Sequence, residues 1–273
     1  MARELRARSQ SVLVRPPLMA ILAAQWNVFV ALMLRDIRTR FGSAPGFLIA
    51  IAWPLSHILI LVVLNVSFGR TAPYGESPAL WFATGVVPFM IFSYTARFVM
   101  LGIVLNRPLL AFPNIKILDI LFSRAIIECL ISALVIIVLM IIFLVAGIDF
   151  MPHDPVQAFY ALLASFWLGI GFGIFNSIIA MIFVQWITVF MLLIVLLWMT
   201  GGVFFVPNHM PEYVRDLLYW HPSIHASEWL RNAYYSSYNS LILDVKYLLA
   251  LATASVFAGL VLERLLRGRM LVG

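Results

Sequence analysis

Six long apolar stretches, at roughly 46–68, 80–105, 125–147, 156–183, 187–206 and 247–266, dominate the chain, with short polar connections between them. Each is long enough to cross ~30 Å of hydrocarbon as a helix rising about 1.5 Å per residue, the last only marginally. A different pattern precedes them. Within 26–41, Trp26, Phe29, Val30, Met33, Ile37 and Phe41 recur at steps of three and four, and Arg35, Asp36, Arg38 and Arg40 take the remaining face. That pattern predicts a helix lying in a membrane interface, broken from the first span at Pro45-Gly46. The connection from Pro207 to Lys246 is unlike the others. Trp220, Trp229, Tyr219, Tyr234, Tyr235 and Tyr238 make it too apolar for a solvated loop, while Pro207, Pro211 and Pro222 forbid a full span. Short helices re-entering from the outer surface satisfy both constraints, because irregular backbone at membrane depth must be buried or line a cavity.

Composition agrees with this pattern: 63% hydrophobic and 11% charged residues exclude a soluble globule, whose charged fraction is about 25%. Lys and Arg sort by side. Seven lie before the first span (Arg3, Arg6, Arg8, Arg15, Arg35, Arg38, Arg40), three in 106–124 and three in the C-terminal tail, against Arg70, Arg215, Arg231 and Lys246 on the opposite side. Such a bias predicts both termini in the cytoplasm and an uncleaved N-terminal arm. The fold expected is all-α and polytopic, a single transmembrane domain over 1–273. It comprises a cytoplasmic arm (1–24), an interface helix (25–42), a six-span bundle (46–266) and the external re-entrant region (207–245). The net charge of +6 does not point to nucleic acid, since the arginines gather beside spans. Cys129 is the only cysteine, so no intrachain disulfide can form.

Candidate chemistry is sparse. In the cytoplasmic connection from Arg107 to Asp119, Pro113 is placed to start a short amphipathic helix presenting Asn114, Lys116 and Asp119 to the cytosol. Arg97 and Glu128 fall inside spans, where an ion costs about 2.5–3.5 kcal/mol or more unless paired, snorkelling or facing water. Arg97 pairing with Glu128, Glu128 pairing with Arg124, and Arg97 lining a polar pathway are all open. Gly169, Gly171 and Gly173 suit close helix packing. His221, His225 and Glu228 are a weak metal candidate, lacking a fourth ligand and separated by Pro222. No P-loop and no hydrolase signature occurs in the chain.

Three stretches resemble the permease subunit of type-2 ABC exporters for capsular polysaccharide and related surface glycans. They are Leu34–Gly42 with Gly46–Leu55, then Phe112–Asp119 leading to Ser123-Arg124-Ala125, and Phe205-Val206-Pro207 through Trp220–His225 to Arg231. The order and spacing agree over essentially the whole chain. One departure is that the family often carries an acid before the proline of its first span, where this chain reads Ile49-Ala-Ile-Ala-Trp-Pro54. Another is His221, where the family frequently has Asn.

The resemblance implies an inner-membrane homodimer with two copies of a separate ABC ATPase that holds the ATP and Mg, leaving this chain without a cofactor. It also implies a lipid-linked polysaccharide as cargo, with periplasmic and outer-membrane export components beyond. On this view Arg35, Asp36, Arg38, Arg40, Asn114, Lys116 and Asp119 receive the push of the ATPase. Spans one, two and five line the path, where Phe47, Trp53, Trp81, Phe92, Tyr94 and Trp198 offer flat faces to sugar C–H groups and Arg97 meets acidic groups. Export of O-antigen or teichoic acid by the same mechanism is an alternative. So is a polytopic enzyme acting on lipid-linked sugar, with His221, His225 and Glu228 as its nearest site.

Overall fold

The computed structural model describes residues 17–272, so the first sixteen residues of the expected cytoplasmic arm lie outside the described residues. Among them are nine α-helices and no strand. They are α1 (Leu18–Phe41), α2 (Ala44–Ser67), α3 (Pro78–Leu105), α4 (Ile117–Val145), α5 (Pro155–Ile182), α6 (Trp186–Thr200), α7 (Glu212–Tyr219), α8 (Pro222–Tyr234) and α9 (Val245–Val272), with 3₁₀ turns at Arg107–Ala111 and Pro207–His209. Several starts are written locally. Ser43, Ser77 and Asp154 cap α2, α3 and α5 by accepting from free N–H groups of the first turn, each followed by proline near the first helical position.

α3 is the central post. Residues along its whole length are buried, and α5, α4, α8 and α2 pack around it. α5 sits between α3 and α9 by means of its glycines. A Cβ on Gly169 would lie 2.7 Å from Thr95 Cβ, one on Gly173 2.6 Å from Val99 Cβ, and one on Gly171 2.6 Å from the Ala252 carbonyl oxygen. Small residues thus let both neighbours approach the α5 backbone, which is how helices associate where no hydrophobic force separates them from lipid.

Three expectations need correction. The fifth stretch is not a 20-residue span: α6 has 15 residues, about 22 Å at 1.5 Å per residue, and ends at Gly201-Gly202. Gly202 takes φ +73°, a turn that Gly adopts without strain, and Val203–Val206 then run on without helix. Second, α1 starts at Leu18, earlier than the expected residue 25; by length and composition alone it counts with α2, α3, α4, α5 and α9 among six helices that could cross a membrane. Third, no helix begins at Pro113. Pro113 and Asn114 form a turn, and α4 begins at Ile117 because the Asp119 carboxylate accepts the Lys116 N–H (2.9 Å) and closes its first turn.

Candidate functional site

Part of the polar face of α1 is spent inside the protein. Asp36 is 4% exposed, with its carboxylate 2.7 Å from Arg124 Nε in a charge contact that lacks hydrogen-bond alignment. One turn on, Arg40 pairs with the buried Glu128, and its guanidinium lies 4.4 Å from the Phe98 ring centroid. Both pairs join residues 88 apart, so α1 runs alongside the first turns of α4 in the same direction, as two rungs of one ladder. Gln25 adds a bond to Asp119, and Arg35 donates to Asn106 Oδ1 (2.6 Å), whose amide in turn donates to the Gly102 carbonyl (2.8 Å) at the end of α3. None of the pairings expected for Glu128 is the observed one. The signal was present: Asp36/Arg40 and Arg124/Glu128 are two i,i+4 pairs of opposite sign order. Of the seven expected coupling residues, Arg35, Arg38, Asn114 and Lys116 face outward, whereas Asp36 is buried and Arg40 and Asp119 are partly so.

A groove of about 520 Å³ runs between α2, α3 and α6, the expected spans one, two and five. His57, Tyr94, Arg97 and Trp198 give it its chemistry; Leu61, Phe89, Met90 and Ile194 give it an apolar wall. His57 Nδ1 and the Tyr94 hydroxyl lie 2.7 Å apart. Arg97 is exposed and has no carboxylate within ion-pair distance among the described residues. Trp198 stands edge-on to Phe204 (4.9 Å between centroids), with its indole N–H buried and without a partner. Phe47 and Trp53 are exposed on α2 but do not line this groove; Trp53 lines a separate cavity between α2, α3 and α4. Trp81 and Phe92 are not wall residues: at 1% and 0% exposure they belong to the interior of the protomer. Periodicity could not separate them from the others, because α3 is apolar on every side.

Beyond the far end of α6, α7 and α8 form a helical hairpin. Arg231 and Glu228 are both 0% exposed and pair at 3.0 Å. Arg231 also donates to the Gly202 carbonyl (2.8 Å) from the same Nη1 and lies 4.4 Å over the Trp81 ring, while its Nε and Nη2 are buried without a hydrogen-bond partner. The second Glu228 oxygen accepts from Tyr238 and from Ser240 (2.6 Å). Burial first, and Glu228 second, push the Tyr238 hydroxyl far above its ordinary pKa, keeping it a donor. His225 Nε2 donates to the Tyr219 carbonyl (2.7 Å) and Nδ1 accepts the Asp244 N–H (3.0 Å), while His221 reaches the Leu197 carbonyl (3.0 Å). Burial lowers the pKa of both imidazoles. Every polar atom of the His225 and Glu228 side chains therefore has a structural bond. No metal-binding cluster occurs among the described residues.

A bundle of apolar helices with a side groove, a charged clamp at one end and a bonded hairpin at the other defines a membrane transporter component. Residues 27–235 match the model of the ABC-2 type transporter membrane family, and the chain belongs to that family. It is 31% identical over 236 residues to the polysialic acid transport protein KpsM of Escherichia coli, covering 86% of this chain and 91% of that protein. It is 29% identical to the capsule polysaccharide export inner-membrane protein CtrC of Neisseria meningitidis serogroup B (79% and 82% covered). Identity to the corresponding protein BexB of Haemophilus influenzae is 27% (89% and 92% covered). The chain is thus a permease of the inner membrane, in a family of transporter subunits.

Proposed function

We propose that two copies of this chain, driven by two copies of a separate ABC ATPase, export a lipid-linked capsular polysaccharide from the cytoplasmic side. The near-full-length likeness to capsule exporters carries the choice of cargo. In this reading both termini are cytoplasmic, α1 lies at the cytoplasmic interface and α7–α8 re-enter from the periplasm, where further export components take over the polymer. The grooves of two protomers face one another, and His57, Tyr94, Arg97 and Trp198 touch the moving glycan. Exposed Arg35, Arg38, Asn114 and Lys116 meet the ATPase, which supplies ATP and Mg. Asp36, Arg40 and Asp119 work one layer behind, passing the push into α4.

Deletion of the chain in its native host tests the cargo. Lipid-linked polymer should accumulate inside the cell and disappear from the surface, and the purified permease should bring down an ATPase. Normal surface glycan after deletion would refute the reading.

A further inference from the structure

A second cavity, of about 200 Å³, lies between α2, α3 and α4. It shares Met90 and Tyr94 with the groove but opens on the other side of the α2–α3 contact. Its lining changes character along its length, and the three helices agree on the direction. Nearest α1 stand Arg40, Phe98 and Glu128, with Ser132 one turn further along α4. Deeper in, the walls are Ile58, Val87, Val135 and Ile136. Pro54 strengthens the polar half. Lacking an N–H, it leaves the Ala50 carbonyl of α2 without its helical donor, and both residues line the cavity. One polar and one apolar end, in a crevice among membrane helices, fit an amphiphile lying along the bundle.

Charge selects the head group. Each acid at this end is already engaged: Asp36 by Arg124, Glu128 by Arg40, and Asp119 by Gln25 and the Lys116 N–H. Arg38 is exposed and has no such acid; neither has Arg97, which lines the neighbouring groove but whose guanidinium, like that of Arg40, lies by the Phe98 ring of the crevice (5.8 and 4.4 Å to its centroid). The local excess is positive, so an anion is favoured there. We propose that the crevice holds an acyl chain of an anionic glycerophospholipid, with its phosphate at the arginine end. On the topology given above, this is a lipid of the cytoplasmic leaflet. It fills the space between α2 and the α1–α4 ladder, and so sets how freely α2 swings.

The test uses the purified full chain in vesicles of phosphatidylethanolamine and phosphatidylglycerol, with a photoreactive group mid-chain on one lipid at a time. Adducts are mapped by peptide mass spectrometry. Phosphatidylglycerol should label Ile136 and Val135 at least about tenfold more than phosphatidylethanolamine does at equal content. It should also label them more than Ile137, which faces outward at 51% exposure. Ser132→Phe should abolish the crevice adducts and leave those on exposed Phe159 unchanged. The wild-type adduct map decides the matter even where that variant does not fold. Equal labelling by both lipids, or equal labelling of Ile136 and Ile137, would overturn the proposal. Crosslinking from a photoreactive residue at 136 to a second copy of the chain would make the crevice a subunit seam, and would overturn it equally.

Discussion

Replacing Glu128 with Leu removes one rung of the ladder between α1 and α4. The Glu128 side chain is 3% exposed and that of Arg40 19%, so the change strands a guanidinium in a mostly dry site. Breaking a buried pair from one side costs about 3–5 kcal/mol, and the partial exposure of Arg40 lowers the expectation to about 2–4 kcal/mol. In a chain of this size that corresponds to a melting shift of roughly 5–12 °C. Arg40→Met alone leaves a buried carboxylate and should cost a similar amount. The double variant Arg40→Met/Glu128→Leu strands neither charge, and should fall within about 1 kcal/mol of the starting protein. The assay is thermal unfolding of the detergent-solubilised protein followed by tryptophan fluorescence, with surface glycan measured in parallel. If the single-variant losses simply add, with a coupling below about 0.5 kcal/mol, the two side chains do not act as a pair and the ladder argument fails.

Other expectations are equally specific. Gly173→Ala should destabilise by about 1–3 kcal/mol, because its Cβ would sit 2.6 Å from Val99 Cβ, whereas Gly268→Ala meets nothing within 4 Å and should be neutral or stabilising in the same melt. Arg231→Met should cost about 3–5 kcal/mol by leaving Glu228 buried and the Gly202 carbonyl without its donor, and limited proteolysis of the α7–α8 hairpin would report it. His225 is held neutral by burial, so the folded protein binds fewer protons there than the unfolded chain does. Stability should then fall as pH drops below about 6.5, and melts of His225→Gln should lose part of that slope. Arg97→Ala should lower export of an acidic glycan while leaving the melting temperature unchanged, since the side chain is exposed and forms no ion pair.

What could be read from the sequence follows from what each signal depends on. Apolar length is a local signal, so five of the six stretches became long helices and their extent was legible. The end of α6 was not. Val203–Val206 is as apolar as the helix before it, and only the positive φ of Gly202 breaks the run. At the candidate site, α2, α3 and α6 meet at one groove, which Tyr94, Arg97 and Trp198 line. Trp81 and Phe92 were misplaced because α3 has no polar side to reveal its orientation. The partner of Glu128 was missed for another reason. It is fixed by a contact between distant segments, and a charge pattern names a partner only when the neighbouring helix is known.

The distribution of fixed and loose elements bears on how a permease with no P-loop of its own can be driven. At one end the ladder and the Arg35–Asn106 bond tie α1 to both α3 and α4, so a push on its exposed arginines cannot be absorbed by α1 sliding alone. At the other end Arg231, His221 and His225 tie the α7–α8 hairpin to the segments before and after it. Between these ends the groove has one rigid wall and two yielding ones. α3 is buried over 78% of its apolar stretch, α2 over only 17%, and α6 buries Phe190 alone. Packing makes α3 costly to move, because each displaced side chain loses close-packed contacts on all sides. α2 and α6 lose little. In the proposed reading, a force entering through α1 would widen the groove by displacing α2, across the short Gly42–Ser43 link, before it deformed the core.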